Sequence, residues 1–105
     1  MAITNYQVGT SVTAAFTASA AGGTAITVIY ITNKTDGDGT VDVYVTPTGV
    51  SATANHLVYS QLTITARDTY IIDTEKMILE SGAKIYVVAP DSAAQFNATI
   101  STIEL

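Results

Sequence analysis

Cysteine and tryptophan are absent from this 105-residue sequence, and histidine occurs once, at His56. Without cysteine no disulfide framework can staple the domain, so stability has to come from a packed core or from assembly. A single histidine excludes a Cys/His dyad, and it excludes a metal site built on two histidines of one chain. A Ser-His-Asp triad would need that same residue, and no G-x-S-x-G elbow accompanies it. Charge is scarce too: charged residues make up 12% of the chain, about half the usual share, so Thr, Ser, Asn and Gln must cover much of the surface.

Positive charge is scarcest of all. The cations Lys34, Arg67, Lys76 and Lys84 are scattered, and the formal net charge is −5. Phosphate binding needs clustered Lys and Arg to release counterions, so nucleic acid is excluded as a partner. Long apolar runs are missing as well. Met77–Leu79 and the run 86–90 fall far short of the roughly 18 residues that a membrane helix requires. The N-terminus lacks the basic region of a secretory signal; Ala18-Ser19-Ala20 looks like a cleavage site only superficially, because Ser and Thr interrupt the stretch before it. The reading is a chain with neither membrane nor nucleic-acid partner.

Apolar residues, at 48%, are plentiful enough to exclude a disordered chain. At this length one core is all that can be built. Val, Ile, Thr and Tyr recur in short runs divided by Gly, Pro, Asn and Asp clusters, a strand pattern with no convincing helical period. The first strand is expected over Ser11 to Ala18 with Val12, Ala14, Phe16 and Ala18 on one face; residues 1–9 form a short preceding strand or an N-terminal arm. Thr24 to Asn33 reads as the most buried strand, because both of its alternating sets are apolar: Ile26, Val28 and Tyr30 on one face, Ala25, Ile29 and Ile31 on the other. The turn residues of 35–39 lead into Val41, Val43 and Val45 facing inward, with Asp42 and Tyr44 outward.

Further runs follow at 57–65 and 69–72, then a hairpin through Ser81-Gly82, and a last strand over 95–105. In that strand Phe96, Ala98 and Ile100 share a face, and a bulge near Ser101 is expected to let Ile103 and Leu105 continue the apolar set. About seven to eight short antiparallel strands at this spacing predict a single all-β domain, a β-sandwich of the jelly-roll or immunoglobulin-like type.

The chemistry-bearing residues are few. His56, at a loop-to-strand boundary, reads as an ordinary loop residue. Asp36 and Asp38 with Gly37 and Gly39 look like the start of a calcium loop, but the twelfth position, where a glutamate should close it, is Pro47. An exposed turn is the expectation, with no metal and no cofactor. The remaining acids, Asp42, Asp68, Asp73, Asp91, Glu75, Glu80 and Glu104, fall mostly in turns or at strand ends, whereas glycosidase-like chemistry needs two carboxylates across a cleft. No catalytic residue is assigned. Asn33-Lys34-Thr35 and Asn97-Ala98-Thr99 match the glycosylation sequon by chance in a Thr-rich chain. Tyrosine combines large contact area with low entropy cost and is enriched at interfaces; Tyr30, Tyr44 and Tyr86 are the candidate interface residues, with a half-buried strand position as the alternative.

The segment MILESGAKIYVVA, Met77 to Ala89, with FNATISTIEL, Phe96 to Leu105, and the strands over 62–66 and 67–73, resembles the C-terminal half of small β-sandwich proteins of tailed-bacteriophage particles. Leu79, Glu80, Gly82, Ile85, Val87, Ala89, Ser101 and Glu104 carry the likeness, which covers a little under half of the chain. Ala83 and Lys84 depart from the usual polar and acidic residues after the glycine. The resemblance implies a virion structural protein made in the host cytoplasm. The leading role is capsid decoration (cement), with the major capsid protein or other virion proteins as partners and a homo-oligomer, a trimer at local three-fold positions, as the assembly. A head-tail neck or tail adaptor is the alternative. A carbohydrate-binding module of a receptor-binding fibre, with Tyr44 and Tyr86 stacking on sugar rings, comes third.

Overall fold

A computed structural model describes residues 2–73, 77–90 and 95–105; Glu75, Lys76 and Asp91 of the sequence reading lie outside these. The described residues form nine strands: β1 Ala2–Gln7, β2 Ala14–Thr17, β3 Thr24–Asn33, β4 Gly39–Thr46, β5 Leu57–Ile64, β6 Thr69–Ile72, β7 Met77–Leu79, β8 Lys84–Val88 and β9 Phe96–Glu104. A single 3₁₀ turn, Ala54–His56, precedes β5.

Two antiparallel sheets result. One has the order β1-β9-β3-β6, with β7 also paired to β3, and the other has the order β2-β8-β4-β5. β6 pairs with the second half of β3 and β7 with its first half, so together they act as one interrupted strand along the same edge. With that strand taken as a unit, the chain crosses between sheets at every connection but β4 to β5, which pair as neighbours; this is the jelly-roll order, and the immunoglobulin order is excluded. Short β-branched runs and frequent turns favour this arrangement, because each strand buries only one face.

The core lies between the sheets. Ile29, Ile31, Phe96, Ala98 and Ile100 from one sheet meet Val41, Val43, Ile64, Ile85 and Val87 from the other, all buried. The hairpin expected through Ser81-Gly82 does not form: β7 pairs with β3 in one sheet and β8 with β2 and β4 in the other, so this turn carries the chain between sheets. Gly82 in it has φ +92, and a Cβ there would come within 2.7 Å of Thr48 Cγ2. Both the backbone angle and the close approach require glycine.

Several expected details change. Of the two alternatives for the N-terminal segment, residues 2–7 form the strand: β1 pairs along its whole length with β9, Ala2 opposite Thr102 through Gln7 opposite Asn97. The strand expected from Ser11 shrinks to β2. A register shift between Ala14 and Phe16 breaks its alternation: of the face expected inward, Ala18 is buried and Phe16 packs against the core, whereas Val12 is exposed and Ala15 of the other set is buried. The irregularity placed near Ser101 sits on the partner strand: the register of β3 slips between Ile26 and Val28, and Thr27 Oγ1 donates to the Ser101 carbonyl at 3.0 Å. That slip lets Ile26, Ile29 and Ile31 all face the core, and it explains why both alternating sets of β3 are apolar. β9 keeps its phase, so Thr102 is buried while Ile103 and Leu105 are exposed.

Candidate interaction surface

Strand alternation sends every second residue of the β1-β9-β3-β6 sheet away from the core. The pairing aligns these residues in rows that cross the sheet. The central row runs Asn5, Thr99, Tyr30, Ile71, with Thr99 Oγ1 donating to Asn5 Oδ1 at 2.9 Å. On one side lies Gln7, Asn97, Thr32, Thr69; here the Thr32 and Thr69 hydroxyls are 3.0 Å apart, and the Lys34 ammonium reaches over to Gln7 Oε1 at 2.5 Å and Asn97 Oδ1 at 3.2 Å. On the other side, Ile3 pairs with Ser101 and Ser101 with Val28, and beyond them Ala25 lies between Ile103 and Ile78.

The five strands of this sheet contain one charged residue, Glu104, at the end of β9. Its outer face exposes Ile3 (68%), Ile78 (72%), Ile71 (50%), Tyr30 and Ile103 among amides and hydroxyls. Ordinary protein surface mixes both signs of charge with its apolar atoms, so an apolar face of this extent, with the Lys34 ammonium over its end row alone, is suited to contact with protein.

The opposite sheet differs. On its outer face Tyr44 and Tyr86, directly paired between β4 and β8, meet edge to face with centroids 6.3 Å apart. Tyr86 is 7% exposed on a strand flanked by β2 and β4, so its expected role as an accessible interface residue is withdrawn. Tyr44 is half-buried beside it. Of the three candidates only Tyr30 presents its ring on an open face. Tyr6, Tyr59 and Tyr70 pack against the core.

The acids and the histidine serve the backbone. Asp38 Oδ1 accepts the Ala66 N–H at 3.0 Å, Asp42 Oδ1 accepts the Gln61 N–H at 2.7 Å, and Asp36 pairs with the Arg67 guanidinium at 2.9 Å where both side chains are well exposed. His56 Nδ1 accepts the Thr53 N–H at 3.0 Å and closes the 3₁₀ turn. Among the described residues no group of three His, Cys, Asp or Glu side chains is placed to hold a metal ion. A cleft of about 250 Å³ between β4 and β7 is lined by Val45, Thr46, Pro47, Ile78, Leu79, Glu80 and Ala83. Glu80 is its only ionisable lining residue, so it offers no acid/base pair.

Asn33 is the residue whose importance the sequence hid. It is fully buried at the end of β3, and its Nδ2 donates to the Gly37 and Ile64 carbonyls at 2.8 and 3.0 Å. Its Oδ1 accepts from the Thr35 N–H and hydroxyl at 3.0 and 2.9 Å. A sequon was the only signal there, and a buried amide with these bonds cannot carry a glycan.

Comparison with family models, with curated proteins and with solved structures finds no match for this chain.

Proposed function

We propose that this protein is a structural component of a tailed-phage-like particle, a decoration protein that sits on the outer surface of the major capsid lattice through the exposed face of the β1-β9-β3-β6 sheet. The observation that carries this reading is the composition of that face: Ile3, Tyr30, Ile71, Ile78 and Ile103 exposed across strands whose one charged residue is Glu104. Two further points support it. The jelly roll is a fold used by viral capsid domains, a likeness of architecture alone, and the sequence over 77–89 with the strand after it resembles small virion proteins.

A face so poor in charge suits a repeating lattice. Each copy binds through modest apolar contacts, and contact with several neighbouring subunits adds avidity. The carbohydrate-binding alternative loses its stacking pair, because Tyr86 is buried against Tyr44.

Copy number tests the proposal. A decoration protein repeats with the lattice, whereas a neck or tail adaptor follows the small cyclic symmetry of one vertex. Quantified against the major capsid protein in purified particles, this chain is expected at the same order of abundance, and it should stay bound at raised salt because the contacts carry little charge. A ring-sized copy number would replace decoration by the adaptor role, and absence from particles would remove both.

A further inference from the structure

A sheet that is not closed into a barrel has edges, and natural proteins blunt them with bulges, charges, proline or short strands. Three edges of this sandwich are blunted. β2 is four residues long and has a register shift. β5 has two register shifts against β4 and a positive φ at Gln61, and the Asp42 carboxylate holds the Gln61 N–H. β6 and β7 are short and separated from each other.

The fourth edge, β1, has none of these devices. Its six residues, AITNYQ, include no charge and no proline, and pair with β9 without a register shift. The Val8 N–H donates to the Phe96 carbonyl in the same register, which fixes the alternation of the ladder: Ala2, Thr4 and Tyr6 direct their N–H and C=O groups at β9, and Ile3, Asn5 and Gln7 direct theirs away from it.

We propose that β1 is a self-pairing edge: two copies of this chain join β1 to β1 antiparallel about a two-fold axis at Asn5, and the two sheets become one continuous sheet. The three outward-directed residues are evenly spaced, with Asn5 at the centre. In this register Asn5 pairs with its own copy and Ile3 with Gln7 of the other, so every outward N–H and C=O finds a partner. A slip by two residues leaves one end unmatched. The side chains brought together are Ile, Thr, Asn, Tyr and Gln, so two chains that each carry a net charge of −5 meet where no like charges oppose each other. The interface is isologous and closes as a dimer, in place of the trimer that the phage resemblance implies. It uses an edge and leaves the sheet face open, and it does not rest on the virion role.

Because the chain contains no cysteine, one introduced thiol reports the register without ambiguity. In Asn5→Cys the two thiols face each other in a hydrogen-bonded pair, with Cα atoms about 5.5 Å apart, inside the range that a disulfide spans. In Ile3→Cys they are four strand positions apart, roughly 14 Å, and out of reach. The 105-residue chain is expected to approach twice its monomer mass by sedimentation equilibrium between micromolar and millimolar concentration. Asn5→Cys should oxidise to a covalent dimer, Ile3→Cys should not, and an equimolar mixture of Ile3→Cys with Gln7→Cys should give the mixed dimer. Asn5→Lys sets two ammonium groups opposite each other at the axis, and should abolish the dimer while its melting curve keeps the cooperative transition of the monomer. A protein that stays monomeric at millimolar concentration, a trimer, a dimer untouched by Asn5→Lys, or equal cross-linking at positions 3 and 5 would each overturn the proposal; so would an extended segment of a different protein occupying β1 while the chain alone remains monomeric. None of these results alters the copy number in particles.

Discussion

Tyr59 of β5 and Tyr70 of β6 meet edge to face across the gap between the two sheets, ring centroids 5.9 Å apart and planes at 70°. Both pack against the core, so the pair closes one side of the sandwich where no backbone ladder joins the sheets. Such pairs contribute roughly 0.5–1.5 kcal/mol beyond the area they bury. A double-mutant cycle with Tyr59→Leu and Tyr70→Leu in urea should return a coupling energy of that size. Strict additivity would mean that the rings only fill space.

Asn33 joins β3, the 35–38 turn and the end of β5 through one amide. Asn33→Leu leaves the Gly37 and Ile64 carbonyls without their donor in a buried setting, at about 1–3 kcal/mol for each unsatisfied group. Asn33→Asp should fare no better, because a carboxylate can accept but not donate. Chemical denaturation of both variants checks this, and near-native stability of either would show that the turn holds without the amide.

Thr46 Oγ1 is the one buried side-chain polar atom among the described residues without a hydrogen-bond partner. Thr46→Val keeps the branched shape and removes the unsatisfied group, so stability should rise by about 1 kcal/mol. A loss of stability in the thermal melt would point to a partner that the hydroxyl finds in solution.

Ile85 and Val87 are fully buried on β8. Replacing either with Asp forces a charge into the core and should unfold the domain or cost about 4 kcal/mol or more. Asp36→Thr removes an exposed ion pair and should change stability by less than about 0.5 kcal/mol. A normally melting Ile85→Asp protein would contradict the inward direction of β8.

Most strands were readable because alternation and turn residues agree in them, as in Val41 and Val43 followed by the outward Tyr44. Reading failed where a ladder slips. Both sets of β3 are apolar, so periodicity alone could not place the slip at Thr27, and at the end of β9 hydrophobicity favoured Ile103 although the unbroken pleat buries Thr102. Tyr86 was misjudged for a related reason: alternation gives the direction of a side chain, whereas its cover comes from strands far apart in sequence. The charge-poor sheet face was present in the composition of five separate segments, and only their pairing brings them together.

The position of β9 governs the order in which this molecule can be made. It lies between β1 and β3, so β1 has no neighbour in its sheet until residues 96–104 have been synthesised. Contacts so distant in sequence place folding in the slow range for small domains. During that interval β1 waits with both of its edges unpaired, and the uncharged segment AITNYQ is then most open to pairing with the wrong chain. Crowded synthesis should therefore yield aggregates seeded by residues 2–7, and a lysine at position 3 should reduce them whether or not the finished protein dimerises.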